Sequence, residues 1–159
     1  MGVSGCGKST IGAALAARLG GRFLDCDEFH PPANIEKMRA GTPLTDEDRW
    51  PWLARIGREI AALDGIVVAG CSALRRIYRE RIGEAAGEPV MFVHLRGSRE
   101  LIAGRMAARE GHFMPPGLLD SQFATLETPT AEETAIGVDI LGSAEEIVAR
   151  ICAELDPPA

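Results

Sequence analysis

The sequence predicts an α/β fold, a parallel sheet covered by helices on both faces in three layers. Three observations carry this. Strand-like and helix-like segments alternate along the chain, which implies right-handed crossovers and parallel strands. The run Gly65-Ile66-Val67-Val68-Ala69-Gly70 is β-branched, uncharged and bounded by glycine, as a strand buried on both faces should be. Residues 2–9, Gly-Val-Ser-Gly-Cys-Gly-Lys-Ser, match the pattern G-x-x-x-x-G-K-[ST] at every fixed position. At 159 residues the chain is one domain, residues 1–159.

The glycine-rich loop comes first. Its glycines let several backbone N–H groups turn toward one phosphate without a crowding Cβ. Gly2, Ser4, Gly5, Cys6, Gly7, Lys8, Ser9 and Thr10 are therefore candidate nucleotide-binding residues. Lys8 is placed for the β- and γ-phosphates, Ser9 for Mg²⁺, and the following helix adds its positive end. Ile11, Leu15 and Leu19 give that helix its apolar face, and Gly20-Gly21 closes it. Such a loop hangs from a buried strand, yet almost nothing precedes Gly2. The first strand is expected to be largely missing from this chain, and the natural protein is expected to start upstream with a short apolar strand.

Residues 22–25 read as the next strand. Asp25-Cys26-Asp27 then sets two carboxylates two apart, on one side if the chain stays extended. At the carboxyl end of a strand they face the ligand side of an open sheet. They suit a Mg²⁺ site and a hydroxyl-activating base, or else they cap the next helix. His30-Pro31-Pro32 is a rigid turn, and residues 35–40 read as a short helix ended by Gly41. Thr45 or Asp46 can cap the helix that carries Trp50, Trp52, Leu53, Ile56, Ile60 and Leu63 at helical spacing. Pro51 fits its first turn or restarts it. Both tryptophans read as packing residues or as ligand-stacking ones.

After the 65–70 strand, Cys71-Ser72-Ala73-Leu74-Arg75-Arg76 falls on the ligand side. There Ser72 can bond a polar substrate and an arginine can pair with an anion. Tyr78, the single tyrosine, lies on the next helix. Residues 89–95 read as a strand whose His94 is a structural histidine. Arg105 and Arg109, four apart, share a helix face that either lines a phosphate site or is a solvated basic stripe. Residues 111–117 break the pattern with Gly, Pro, His112, Phe113 and Met114, as a lid over the nucleotide would. A short helix follows around residues 118–126, then a strand at 135–140 and a closing helix at 145–155.

Composition narrows the classes. The net charge of −6 argues against nucleic acid or an anionic membrane as the main partner. No apolar run approaches the roughly 20 residues of a membrane span. The four cysteines show no metal-ligand spacing, and reduced thiols fit a cytoplasmic protein. Cys6, Cys26 and Cys71 each follow a central strand. They are expected to cluster near the site as space-fillers or as oxidisable thiols, with Cys6 at the helix N-terminus the readiest to ionise.

Two long stretches are more specific than the phosphate loop. These are Phe23-Leu-Asp-Cys-Asp-Glu-Phe-His-Pro-Pro-Ala-Asn-Ile-Glu-Lys-Met38 and Gly41-Thr-Pro-Leu-Thr-Asp-Glu-Asp-Arg-Trp-Pro-Trp-Leu53. With Cys71-Ser-Ala-Leu74, Tyr78-Arg79, Gly111-His-Phe113, Leu118-Leu119, Ser121-Gln122 and Leu126-Glu127, they resemble the gluconokinase family, small P-loop kinases that phosphorylate D-gluconate. The resemblance spans essentially the whole chain. It implies a nucleoside-monophosphate-kinase-like sheet of order 2-3-1-4-5, ATP and Mg²⁺, and a homodimer. It assigns Asp27 to the reacting hydroxyl as base or orienting group, with Lys8 and Arg109 on the transferring phosphoryl. Asp25 joins Ser9 in the Mg²⁺ shell. His30, Lys37, Arg49, Ser72, Arg75 and Gln122 form the sugar-acid pocket. Residues 28–64 become a substrate-binding helical segment. Residues 105–127 become a lid, in which Arg105 meets the nucleotide and His112 the substrate. The family usually has lysine where this chain has Arg75, which changes reach and fork geometry. A kinase resembling shikimate kinase would share the loop and the Asp-x-Asp but not His30-Pro31 with Trp50-Pro51-Trp52. A nucleotide-binding module without transfer activity is the alternative of a different class.

Overall fold

A computed structural model describes residues 1–108 and 116–155. Four strands, β1 (Arg22–Asp25), β2 (Val67–Gly70), β3 (Phe92–Arg96) and β4 (Ala135–Asp139), alternate with helices. The helices are α1 (Lys8–Leu19), α2 (Pro32–Arg39), α3 (Asp46–Ala61), α4 (Arg76–Ala86), α5 (Arg99–Ala107), α6 (Pro116–Thr125) and α7 (Ala144–Leu155). β1 pairs parallel with β2, Asp25 opposite Gly70, and β3 pairs parallel with β4, Arg96 opposite Asp139.

The two pairs do not meet directly. Met1 stands between them: its N–H₃⁺ donates to Val93 O at 2.5 Å, and Leu95 N–H donates to Met1 O at 3.0 Å. Bonds to the residues on either side of His94 are the parallel-ladder pattern. On the other flank Gly2 N–H donates to Ser72 O at 3.1 Å. One residue thus holds the place of a central strand, and the order is β1-β2-(Met1)-β3-β4, all parallel. Behind Met1 a cavity of about 310 Å³ runs between the pairs, lined by Val67, Val68, Ala69, Phe92 and Val93.

Two cores cover the faces. Ile11, Leu15, Leu95, Ile102, Ile140, Ile147 and Ile151 join α1, α5 and α7 to the sheet. Trp52, Leu53, Ile56, Cys71, Tyr78 and Ile82 join α3 and α4 on the other side.

Several boundaries differ from the sequence reading. The chain does not stay extended through Asp27: Cys26–Phe29 is a 3₁₀ turn capped by Asp25, whose Oδ1 accepts from Asp27 N–H at 3.1 Å. α2 begins at Pro32, three residues earlier than 35, because proline's fixed φ suits a first turn. Pro51 lies inside α3 and neither starts nor breaks it. Thr45 caps that helix in a reciprocal capping box with Asp48. β3 runs from Phe92 to Arg96, displaced toward its carboxyl end by its register with β4.

Candidate active site

The phosphate loop takes the conformation its glycines permit. Gly2, Gly5 and Gly7 have φ of 143°, 81° and 100°. A Cβ on Gly2 would sit 2.9 Å from Cys6 Sγ and 3.1 Å from Leu95 O. Gly7 caps α1 in the left-handed region and Lys8 opens the helix. Lys8 Nζ donates to Gly2 O at 3.1 Å and Val3 O at 3.0 Å, lying back along the loop. Ser9 and Thr10 are exposed at the helix start, and Cys6 is fully buried beneath it.

The acidic residues meet this loop. Ser9 Oγ donates to Asp25 Oδ2 at 3.3 Å, so the candidate Mg²⁺ residues come together from α1 and β1. Among the described residues no group of three His, Cys, Asp or Glu side chains is placed to hold a metal. A hydroxyl beside one carboxylate suits instead a cation that keeps water and phosphate oxygens in its shell. Partial enclosure pushes the Asp27 carboxyl above its usual value; Lys8 opposes this and Asp25 adds to it.

The helical segment after β1 is tied to the strand end by aromatic groups. Trp52 Nε1 donates to Cys26 O at 2.8 Å, and its ring stacks on His30 with centroids 4.0 Å apart. Both are buried, so Trp52 packs as the packing reading expected. Burial, then the nearby Arg49 charge, pushes the His30 pKa down to about 4, so its imidazole is neutral at pH 7. Lys37 Nζ contacts both Asp48 oxygens, at 2.7 and 2.8 Å, which ties it to the α3 cap. Arg49 Nη1 donates to Leu44 O and, at 3.2 Å, to Thr45 O.

On the β2 side, Ser72 is half-buried and Ala73 is the only non-glycine of positive φ among the described residues, at 42°. Arg79 braces this strained turn. Its Nη1 donates to Ala73 O at 3.1 Å, and its buried guanidinium is paired with the largely covered Glu133 at 2.5 Å. Arg75 Nη1 donates to Asp46 Oδ2 at 2.5 Å. Tyr78 OH donates to Asp46 Oδ1. Sequence reasoning assigns these residues no joint role. Asp46 is a helix-cap candidate within the Gly41–Leu53 stretch, Tyr78-Arg79 is a family-like motif, and Glu133 carries no signal, because the partners lie 32 and 54 positions apart.

Gln122 reaches the phosphate loop rather than the β2 side. Ser4 N–H donates to its Oε1 at 2.6 Å, and its Nε2 donates to Ser4 Oγ at 3.0 Å. Arg105 Nη2 donates to Ile140 O at 2.7 Å, beside the chain leaving β4. Arg109, His112 and the rest of the loop to residue 115 lie outside the described residues.

The cysteines divide. Cys26 and Cys71 follow the paired residues Asp25 and Gly70 and share one core, whereas Cys6 belongs to the other. The two neighbouring thiols act on each other, which pushes Cys26 up and holds Cys71 down. All four cysteines are free. His94 is buried as a structural histidine should be, and burial with nearby positive charge pushes its pKa down to about 4.

Known proteins place this arrangement. The sequence family described as shikimate kinase matches residues 4–155. A shikimate kinase structure from Aquifex aeolicus superposes with a TM-score of 0.64 over 98% of this chain and 93% of its own. It is only 16% identical, so it speaks for the fold alone. A gluconokinase of Gluconobacter oxydans is 50% identical over 142 residues, 87% of this chain and 79% of that one. The chain belongs to the gluconokinase family. The crystal structure of a gluconokinase from Sinorhizobium meliloti agrees, with a TM-score of 0.86 and 47% identity over 98% of this chain and 92% of that one. The P-loop kinase fold expected for a gluconokinase-family chain is thus the fold found, with Met1 in the place of the central strand.

Proposed function

We propose that the protein transfers the γ-phosphoryl of ATP to the terminal hydroxyl of D-gluconate. The observation that carries this reading is the Ser9–Asp25 bond at the carboxyl end of β1, with Asp27 next along the chain and Lys8 near enough to act on its charge. A phosphate cradle and a carboxylate of raised basicity are what phosphoryl transfer to an alcohol requires. Gluconokinases at 43–50% identity over most of this chain support gluconate as the acceptor.

The loop N–H groups of residues 4–9 and the α1 N-terminus hold the β- and γ-phosphates. Lys8 leaves its loop carbonyls for the phosphate oxygens. Mg²⁺, held by Ser9 directly and by Asp25 through water, would neutralise charge on those oxygens. Asp27 accepts the hydrogen bond of the acceptor hydroxyl and takes its proton as the new P–O bond forms. Arg49 and Arg75 pair with the gluconate carboxylate, and Ser72 bonds a hydroxyl of the chain. Neutral His30, with Lys37 held by Asp48, walls the sugar. Gln122 fixes the loop at Ser4, and Arg105 steadies the nucleotide side. Arg109 and His112 complete the lid, residues 105–127, over the substrate segment, residues 28–64. Catalysis is then chiefly alignment and charge neutralisation.

Reduced cysteines and the acidic balance suit a cytoplasmic enzyme, and the family resemblance carries a homodimer, which sedimentation would check. Coupled ADP release with ATP and Mg²⁺, run over several aldonic acids and shikimate, tests the function. Gluconate-dependent release is expected. ATP binding without it would favour the non-catalytic module, and turnover of shikimate would favour the shikimate-kinase reading.

A further inference from the structure

Tyr78 carries two cations. The guanidinium carbons of Arg49 and Arg75 each lie 5.5 Å from its ring centroid. Each contact is favourable, but both bring like charges to one ring. Asp46 offsets this from the first turn of α3. Its Oδ2 takes Arg75 Nη1 at 2.5 Å and its Oδ1 takes the Tyr78 phenol. These bonds hold the Asp46 carboxyl below the usual range, the phenol first and Arg75 next. Glu127 reaches Arg75 Nε at 3.4 Å, while its other oxygen accepts from Arg76 N–H at 2.7 Å. Trp50 closes the ring's edge, with centroids 5.9 Å apart at 71°.

The bonds use only part of each fork. Among the described residues, Arg75 Nη2 and Arg49 Nε and Nη2 carry no hydrogen bond. Arg75 remains about one-third exposed. An arginine can hold a structural carboxylate on one edge and offer the other to a ligand, which a lysine's point charge does not do.

We infer that Asp46 and Tyr78 are positioning residues that set the Arg49–Arg75 pair to receive the carboxylate of the acid substrate. They touch no reacting atom and act through the two guanidinium groups. The inference rests on the proposed gluconate kinase activity and assigns how the anionic end of that substrate is selected.

The test is steady-state kinetics of the whole protein with gluconate and ATP, alongside thermal unfolding. Tyr78→Phe keeps the ring and both cation contacts and removes one hydrogen bond. It is expected to raise the KM for gluconate about 3- to 10-fold, with kcat and the KM for ATP within twofold. Asp46→Asn is expected to raise the gluconate KM more than 10-fold with the same split. A merely structural role would instead lower kcat and the melting temperature together and move both KM values alike. That result, or a gluconate KM within twofold of the unsubstituted protein in Tyr78→Phe, overturns the inference. If Asp46→Asn does not fold, Tyr78→Phe decides alone. Absence of gluconate turnover in the unsubstituted protein sinks the parent reading instead.

Discussion

The side-chain amide of Gln122 holds Ser4 at both ends, accepting from its N–H at 2.6 Å and donating to its hydroxyl at 3.0 Å. The two residues are 118 positions apart, and the bonds join α6 to the glycine-rich loop before α1. Gln122→Ala is expected to raise the KM for ATP by about 5- to 20-fold, since each lost bond is worth roughly 0.5–1.5 kcal/mol. The KM for gluconate is expected to move less. A larger change for gluconate than for ATP would return Gln122 to the sugar pocket.

Asp27 is expected to carry the proton of the acceptor hydroxyl. Its substitution by asparagine keeps size and removes basicity, so kcat should fall by about 10²-fold or more. The dissociation constant for ATP should stay within about twofold, because Lys8 and the loop remain. Unchanged turnover in Asp27→Asn would remove the residue from the chemistry.

Acid should destabilise the fold well above the usual carboxylate range. Burial holds His30 and His94 at about 4, below the ordinary histidine value of 6.5. Between those values the unfolded chain binds more protons than the folded one, so stability falls as pH drops from 6.5 to 4. Asp46, Asp48 and Glu133, held low by their partners, add a further loss at lower pH. Urea unfolding at pH 7.5, 6.5, 5.5 and 4.5 should show unfolding free energy declining throughout, and less steeply below 6.5 in His94→Gln. A flat profile would contradict this.

The cavity between β2 and β3 should accept a strand. Backbone running into Met1 from that side would lie parallel to both neighbours and replace a buried ammonium with a peptide N–H. Joining four or five β-branched residues ahead of Met1 is expected to raise the unfolding midpoint. Each buried valine contributes about 1.5 kcal/mol or more before the ordering cost of about 1 kcal/mol per residue. A net gain of about 1 kcal/mol corresponds to roughly 2–4 °C. A Gly-Ser extension of equal length should give no such rise. Equal midpoints for the two would show that the cavity is not a strand site.

The local sequence determined what depends on near neighbours. Three glycines and a lysine in eight residues dictate a phosphate loop, because positive φ at Gly5 and Gly7 is nearly free for glycine. The uncharged 65–70 run signals a strand, and the long motifs after β1 name the family. The strand is Val67–Gly70, and it is only half-buried because the cavity beside Met1 leaves it uncovered, with Ile66 exposed. Local signals also misled: the extended reading of Asp25 to Asp27 failed because a cap bond from Asp27 N–H competes with the strand. Only the tertiary structure decided which partners the charged groups take. Lys37 and Arg49 look alike in sequence as candidate cations, yet Lys37 is drawn to Asp48 while Arg49 lies against Tyr78. Arg79 enters the sequence only as part of a family-like motif, yet it is buried, paired with Glu133 and bonded to the strained Ala73. Charge pairing is set by distance in space, and α3, α4 and the chain before β4 come together only when the sheet brings them there.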